Sequence, residues 1–357
     1  MSSCHLGSPY PPRLKAVITS ANYHYPFWIS DDGQVLYNGY SPIFSQSLDD
    51  GNTWSLIRRF PYSVSAIRCT TDGELLVCLN DASGTVPGSV WKSEGYSVHL
   101  PQAASWRKVL ELSNPLNFVI NWWGISLYDN IVVIAEYGSK APEVNARKAY
   151  ISYDWGGTWT PIFDLGGTAG SHLHGICFDP YISRIWLANG DLTSGIHYSD
   201  DWGRTWATVD NQGSKIQVTS IIALEGCVLF GSDCHANGIF RIRRRSRFDP
   251  LVLEIAYRAE TPGGLKTAAH LIYRKPEPYG PTYFALATGD VQEGSGVIVA
   301  TRDGESFHEV FRDWKQYGKT MGCQACFETA SGKIIALISD GRQNSWSRMV
   351  ADAPKWL

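Results

Sequence analysis

Methionine is nearly absent from the chain, at 3 of 357 residues, and no segment approaches the roughly 18 consecutive apolar residues that a membrane helix needs. Membrane insertion is therefore not expected. Neither charge prevails: 31 Lys and Arg stand against 34 Asp and Glu, for a formal net charge of -3. No global field draws such a chain to nucleic acid or to an anionic bilayer, so nucleic acid is not an expected partner. The opening Met1-Ser2-Ser3-Cys4-His5 lacks the basic residues and apolar core of a secretory signal. A soluble chain of undetermined compartment is the expectation. Eight cysteines are too sparse for a disulfide-built scaffold of this length, and Cys69, Cys78, Cys177 and Cys227 sit in apolar strand-like runs as buried free thiols. Cys323 and Cys326 have a C-x-x-C spacing but no second pair to complete a zinc site. The one basic run, Arg241 to Arg247, alternates as Phe240-Arg241-Ile242-Arg243. It reads first as the solvated face of a strand and second as an anionic-ligand patch.

Glycine and the large aromatics are abundant instead, with 34 Gly, 14 Trp and 18 Tyr. Together they favour many short strands joined by tight turns over long helices. An internal repeat organises them. Ser47-Leu48-Asp49-Asp50-Gly51-Asn52-Thr53-Trp54 returns as Ser152-Tyr153-Asp154-Trp155-Gly156-Gly157-Thr158-Trp159 and as Ser199-Asp200-Asp201-Trp202-Gly203-Arg204-Thr205-Trp206. A worn copy, Thr301-Arg302-Asp303-Gly304-Glu305-Ser306-Phe307, loses one position and the closing Trp. In each, Asp accepts backbone N–H groups within a tight turn, Gly takes a backbone angle costly to other residues, and the aromatic packs beneath the turn. Asp49, Gly51, Trp54, Asp154, Gly156, Trp159, Asp201, Gly203, Trp206, Asp303 and Gly304 are thus expected as structural turn residues.

Successive copies start 105, 47 and 102 residues apart, so the outer gaps are each about twice the inner one. Missing turns then fall near Lys92 to Gly95 and near Phe240 to Phe248, and a last one near Ser345-Trp346. This arithmetic yields seven units. Each breaks into four short segments with turn residues between them, such as His174 to Phe178, Arg184 to Ala188, Ile196 to Ser199 and Thr205 to Val209. The expected fold is all-β: a seven-bladed β-propeller of four-stranded antiparallel blades, forming a single domain over residues 1–357. Closure falls either to the Pro11–Ser20 region or to the tail from Val350, and an N-terminal contribution is favoured.

These boxes resemble the Asp-box family, or bacterial neuraminidase repeats, found in sialidases, xyloglucan-active hydrolases, sortilin-like receptors, a photosystem assembly factor and several polysaccharide lyases. The resemblance implies that the boxes lie between the third and fourth strands of a blade and face away from the usual ligand side.

A second set of residues recurs in the opposite phase. Asp81, Glu136, Asp191, Asp233, Asp290 and Asp340 each follow a second strand. Converging carboxylates can bind a divalent cation or sugar hydroxyls, or each can cap its own turn. His172 and His174 can share a strand face, His235 follows Asp233, and His270 lies in the next unit. An imidazole oriented by a carboxylate can move a proton, and several together can hold a metal. The candidate catalytic set is His174, His235, Asp191, Asp233 and Tyr137. Candidate substrate contacts are His172, His270, Arg274, Arg342, Trp122 and Trp123, the arginines for an anionic group and the aromatics for stacking on sugars. No cofactor is required, with a divalent cation the one considered.

The Arg-Ile-Pro tripeptide and three-arginine set expected of a sialidase are missing. The mixture of His, Tyr and Arg is more similar to propeller polysaccharide lyases. A carbohydrate-active protein is the leading expectation, a lyase or glycoside hydrolase acting on an acidic poly- or oligosaccharide. The alternative is a noncatalytic propeller that binds glycan or protein, including a viral particle component or an assembly factor.

Overall fold

The computed structural model describes residues 17–20, 27–30, 34–40, 42–120, 123–138, 147–166, 171–191, 194–210, 216–232, 238–257, 267–274, 282–288, 296–312, 322–339 and 346–352, in several strands by backbone alone. They form seven antiparallel sheets. Sheet 1 is Phe27–Ile29, Leu36–Tyr40, Ile43–Ser47 and Ser55–Arg59. Sheet 2 is Ser63–Cys69, Leu75–Asn80, Pro87–Glu94 and Ser105–Pro115. Sheet 3 is Ile125–Tyr128, Ile131–Tyr137, Lys148–Ser152 and Thr160–Asp164, with Phe118–Val119 added beside its second strand. Sheet 4 is Ser171–Asp179, Arg184–Asp191, Gly195–Ser199 and Ala207–Asp210. Sheet 5 is Val218–Ala223, Cys227–Ser232, Gly238–Arg243 and Leu253–Tyr257. Sheet 6 is Thr267–Arg274, Thr282–Thr288, Gly296–Thr301 and His308–Arg312. Sheet 7 is Gly322–Glu328, Lys333–Ser339 and Trp346–Asp352, and its outer strand is Val17–Ser20 from the start of the chain, paired antiparallel with Trp346–Asp352.

Alternation along the second strands explains how the sheets stack. Leu75, Val77 and Leu79 point into a core shared with sheet 1, whereas Leu76 and Cys78 point into one shared with sheet 3. In sheet 3, Val132 and Ile134 face sheet 2 while Val133 and Ala135 face sheet 4. A strand buried on both faces reads as a continuous apolar run, which is how these segments appear in the sequence. Cys177, Trp186 and Phe230 fill the core between sheets 4 and 5, and Leu229, Ile239 and Val299 that between sheets 5 and 6. Cys78, Cys177 and Cys227 are buried free thiols, and Cys69 is free and half-buried.

The repeated boxes form the turns between third and fourth strands. In sheet 4 the Asp201 carboxylate accepts from Thr205 N at 2.8 Å, Thr205 Oγ1 at 2.6 Å and Ser199 Oγ at 2.8 Å, while Ser199 Oγ accepts from Gly203 N at 2.8 Å. Asp49 and Asp154 repeat this set with Thr53 and Ser47, and with Thr158 and Ser152. Gly203 has φ +87°, and a Cβ there would lie 2.4 Å from Ile162 of sheet 3, so the turn needs glycine twice over. Trp206 folds back beneath it and donates its indole N–H to Gly203 O at 3.1 Å and to Ile162 O at 2.7 Å. The worn box keeps the same logic, with Asp303 accepting from Glu305 N at 2.8 Å and Ser306 N at 2.9 Å.

Three sheets lack a box, and in sheet 7 the outer strand comes from the start of the chain instead. In sheet 2 an excursion over 95–104 replaces the box. Glu74 anchors this excursion by accepting from Gly95 N at 2.8 Å and Tyr96 N at 3.2 Å, and Tyr96 reaches Gln46 of sheet 1. In sheet 5 the turn is held by Asp249, which accepts from Ser246 N at 3.0 Å and Ser246 Oγ at 2.9 Å.

The basic run beside that turn corrects part of the expectation of a solvated strand face: Arg243 is exposed as expected, but its neighbours are not. Arg241 and Arg244 are buried. Arg241 bonds Glu254 at 2.8 Å and Glu305 at 2.8 Å, tying sheet 5 to the sheet 6 box. Arg244 pairs in bidentate fashion with Asp179 of sheet 4, at 2.7 and 2.8 Å, with both side chains fully buried. Two further N–H groups meet Glu225 O and Leu224 O at 2.6 and 2.7 Å. Periodicity alone misleads here because a guanidinium can be buried when a carboxylate and carbonyls accept its N–H groups.

Two predictions follow from this bonding. Hydrogen bonds from Thr205 hold the Asp201 carboxyl at about 2, well below the usual carboxylate range, and similar bonds outweigh burial to lower Asp49 and Asp154. A lowered folded pKa contributes stability above the unfolded value, about 3.9, that is lost as pH falls through the folded one. Denaturation profiles should therefore weaken from about pH 4 towards pH 2, with a shallower slope in Asp201→Asn; an identical slope would contradict the assignment. For the buried pair, Asp179→Ala should cost about 3–5 kcal/mol in urea unfolding, because it strands a buried guanidinium. Asp179→Leu with Arg244→Met should recover most of that loss, and equal losses in both variants would show that the pair is not the cause.

Candidate functional site

Antiparallel pairing sends the two turn families to opposite ends of each sheet. The boxes share one end with the turns between first and second strands, and Asp81, Glu136 and Asp191 lie at the other. Asp191, closing the second strand of sheet 4, pairs across from Ser171, away from the box at Asp201. Asp233, Asp290, Asp340, His235, Arg342 and Trp122 lie outside the described residues. Asp191, His270 and Arg274 are described by backbone alone, the last two opposite Ala285 and Thr282 in sheet 6.

Asp81 and Glu136 do not form a converging carboxylate cluster. Asp81 caps its own turn, accepting from Ser83 Oγ, Ser83 N, Thr85 N and Val86 N at 2.7–3.0 Å. The Ser83 hydroxyl and these N–H groups hold its pKa below the ordinary value. Glu136 is fully buried and accepts from Ser113 N and Oγ at 2.7 Å, Tyr150 Oη at 2.9 Å, Asn117 Nδ2 at 3.1 Å and Lys148 N at 3.3 Å. A carboxylate has about four lone-pair sites, and these donors fill them. Burial and then the Glu136 charge push the Tyr150 hydroxyl pKa up, keeping it a donor.

Three of the expected residues do come together. His172 and His174 are buried with their Nε2 atoms 2.8 Å apart, and His174 Nδ1 lies 3.1 Å from Val218 O of sheet 5. The Tyr137 ring packs 4.2 Å from His172 and 5.3 Å from Phe118. A Cβ at Gly190 would lie 2.0 Å from the His174 ring, so the glycine before Asp191 makes room for this imidazole. The carbonyl can only accept, so His174 carries its proton on Nδ1, and in the neutral pair its Nε2 accepts from His172 Nε2–H. A single proton lies between the two Nε2 atoms, and a second one there would set N–H against N–H. Trp123 is half-buried, and its carbonyl accepts from Ile176 N at 2.9 Å, bridging sheets 3 and 4.

Two features escaped the sequence reading. His197 is a bonded core imidazole, 2.8 Å from Asn189 Oδ1 and 3.0 Å from Thr208 Oγ1, and burial lowers its pKa. At the box end, Tyr128, Tyr153 and Trp202 are exposed at 50%, 48% and 37%. They join through Phe178, which stacks on Trp202 at 5.4 Å and lies 5.8 Å from Tyr128. The signal was present: the variable box positions carry Tyr153, Trp155 and Trp202, where short polar residues serve a turn better.

No protein-family model matches the chain, and no curated protein matches it. Solved structures do, at low identity. A chain from the crystal structure of a mitotic checkpoint complex is 10% identical with a TM-score of 0.55, over 99% of both chains. YCF48 from Cyanidioschyzon merolae is 10% identical with a TM-score of 0.55, over 96% of this chain and 97% of that one. YCF48 bound to D1 peptide is 12% identical with a TM-score of 0.56, over 97% of this chain and 99% of that one. These likenesses show an all-β, propeller-like fold of repeated four-stranded sheets and do not single out the sialidase group.

They also overturn the expected carbohydrate-cleaving activity. These neighbours are a chain from a checkpoint complex and two YCF48 structures, one of them bound to D1 peptide, not carbohydrate enzymes. Among the described residues no three His, Cys, Asp or Glu side chains come together as a metal site would require. The Asp81 and Glu136 carboxylates are consumed by internal donors, so these two acids present no open group to a substrate. No helix among the described residues is long and apolar enough to cross a membrane.

The histidine geometry is testable without any substrate. Nitrogen-15 NMR of the neutral protein should show His174 protonated on Nδ1 and His172 on Nε2. A His174 signal with the proton on Nε2 would rule out the pairing.

Proposed function

We propose that the seven sheets close into one seven-bladed propeller, a single domain over residues 1–357, that binds protein as a noncatalytic scaffold or assembly component. Closure is supported by a contact that repeats between neighbours. The Trp155 indole of the sheet 3 box donates to Thr71 Oγ1 in the first-to-second turn of sheet 2 at 2.9 Å. At the position equivalent to Trp155, Asp50 of the sheet 1 box accepts from Ser331 Oγ in the same turn of sheet 7 at 2.7 Å. Sheet 1 thus meets sheet 7 as sheet 3 meets sheet 2. The strand Val17–Ser20 within sheet 7 joins the start of the chain to its last sheet in the same way.

One observation carries the binding role: large apolar side chains stand exposed on the hydrogen-bonded box turns, while Asp81, Glu136, His172 and His174 of the opposite end are buried. An exposed aromatic cluster on a rigid support suits a protein contact, where Trp and Tyr dominate binding energy. The fold neighbours solved in a complex and with a peptide favour the same reading. Under it, His172, His174 and Tyr137 are interior contacts that set the spacing of sheets 3, 4 and 5.

Capture with the tagged full chain from its native cells, followed by reconstitution with the recovered protein, tests this role. The expected result is a complex of fixed ratio in size-exclusion light scattering, with Kd below about 10 µM and unchanged by Tyr137→Phe. A chain that stays alone with every recovered protein would overturn the proposal.

A further inference from the structure

The box end carries a groove whose chemistry points to a particular partner. It has a volume of about 360 Å³ and is walled by Tyr153, Pro161 and Trp202, with Arg204 at its edge. Trp202 sits in the left-handed region at φ +63°, as does Trp155 at φ +54°. A bulky side chain is an outlier there, where Gly or Asn fits at less cost. Trp155 repays that conformation inside the fold, through its bond to Thr71. Trp202 does so only in part: one face stacks on Phe178, its edge meets Tyr153 at 6.0 Å and 61°, and 37% of the residue stays exposed. Among the described residues, nothing accepts its indole N–H.

Arg204 is the second observation. It is exposed, and among the described residues no carboxylate lies within ion-pairing distance of it. The nearby box acids offer little: Asp154 and Asp201 have their oxygens filled by Ser and Thr donors within their own turns. The Tyr153 hydroxyl pKa is raised by partial burial and lowered by the Arg204 charge, which places that cation beside the aromatic wall.

Resting on the protein-binding reading, we propose that this groove docks a peptide segment in which a large apolar or aromatic side chain stands next to a carboxylate, either an Asp or Glu or a chain end. The Tyr153 and Trp202 rings meet at an angle and form a wedge for one bulky side chain. Arg204 supplies the fork-shaped donors that a carboxylate accepts in pairs. A neutral sugar laid on these rings would leave the guanidinium without a counter-charge, so the charge pattern favours the acidic peptide.

The test is selection from a displayed random-peptide library on the full chain, then fluorescence anisotropy with labelled synthetic copies of the selected segments. Enrichment of an apolar residue within two positions of a carboxylate is expected. Trp202→Asn tolerates the left-handed backbone and should weaken binding at least about tenfold, as should Tyr153→Ala. Arg204→Glu should lose the acidic peptide and gain its Lys-substituted version. Tyr153→Ala and Arg204→Glu alter exposed side chains, so they decide the matter even if Trp202→Asn unfolds on a circular-dichroism melt. Selected peptides that bind all three variants like wild type would overturn this groove while leaving protein binding intact. Selection of no acidic-apolar segment, or displacement of the peptide by neutral oligosaccharides, would overturn the partner chemistry. Failure to form any fixed-ratio complex with captured protein tells separately against the parent reading.

Discussion

The second strands of sheets 2, 3, 4 and 5 are apolar on both faces, and a sheet built from such a strand cannot end against water on either side. Leu75 to Leu79 and Ile131 to Ala135 each divide their side chains between two neighbouring cores. That demand for cover on both sides stacks the sheets face to face. It also gives a physical motive for the closure we propose, since an open stack would expose the outer faces of its first and last sheets.

Stacking leaves the two ends of the sheets free to differ, and they do. Box turns saturate Asp49, Asp154 and Asp201 with local donors and leave their intervening positions open to vary. A rigid turn with a free position displays a side chain at little entropic cost, so Trp202 and Tyr153 can stay exposed in fixed places. At the opposite end Asp81 caps its own turn, whereas Glu136 and His174 hold separate elements together. Glu136 gathers groups from the strand 105–115, from Asn117 and from the third strand of sheet 3, while His174 reaches the first strand of sheet 5.

Buried charge follows the same division. Arg244 and Asp179 join sheets 4 and 5 beneath the box end, and Arg241 joins sheets 5 and 6 through Glu254 and Glu305. Sheet 5 lacks the standard box, and these ion pairs with the Asp249 turn take over its task of fixing the spacing to its neighbours. Burying a charge is costly unless it is fully paired, so the register between these sheets is tightly specified.

The repeat of Ser, Asp, Gly and Trp is a local code: each turn is made by contacts within eight residues, so spacing alone was enough to count units and expect an all-β fold, although the last turn it put near Ser345-Trp346 gives way to the start of the third strand of sheet 7. The apolar runs were legible for the same reason, as were the buried thiols within them. That Asp81 caps its own turn was one of the readings the sequence offered, but what Glu136, His174 and the buried arginines do was not legible, because key partners come from other strands and sheets. Glu136 looks like a cleft acid until Ser113 and Tyr150 are seen to fill it, and Arg241 looks solvated until Glu254 and Glu305 are placed beside it. Local hydrogen bonding and period-two hydrophobicity are written along the chain, whereas desolvation and pairing depend on what folds against a residue from far away, and only the tertiary structure decides that.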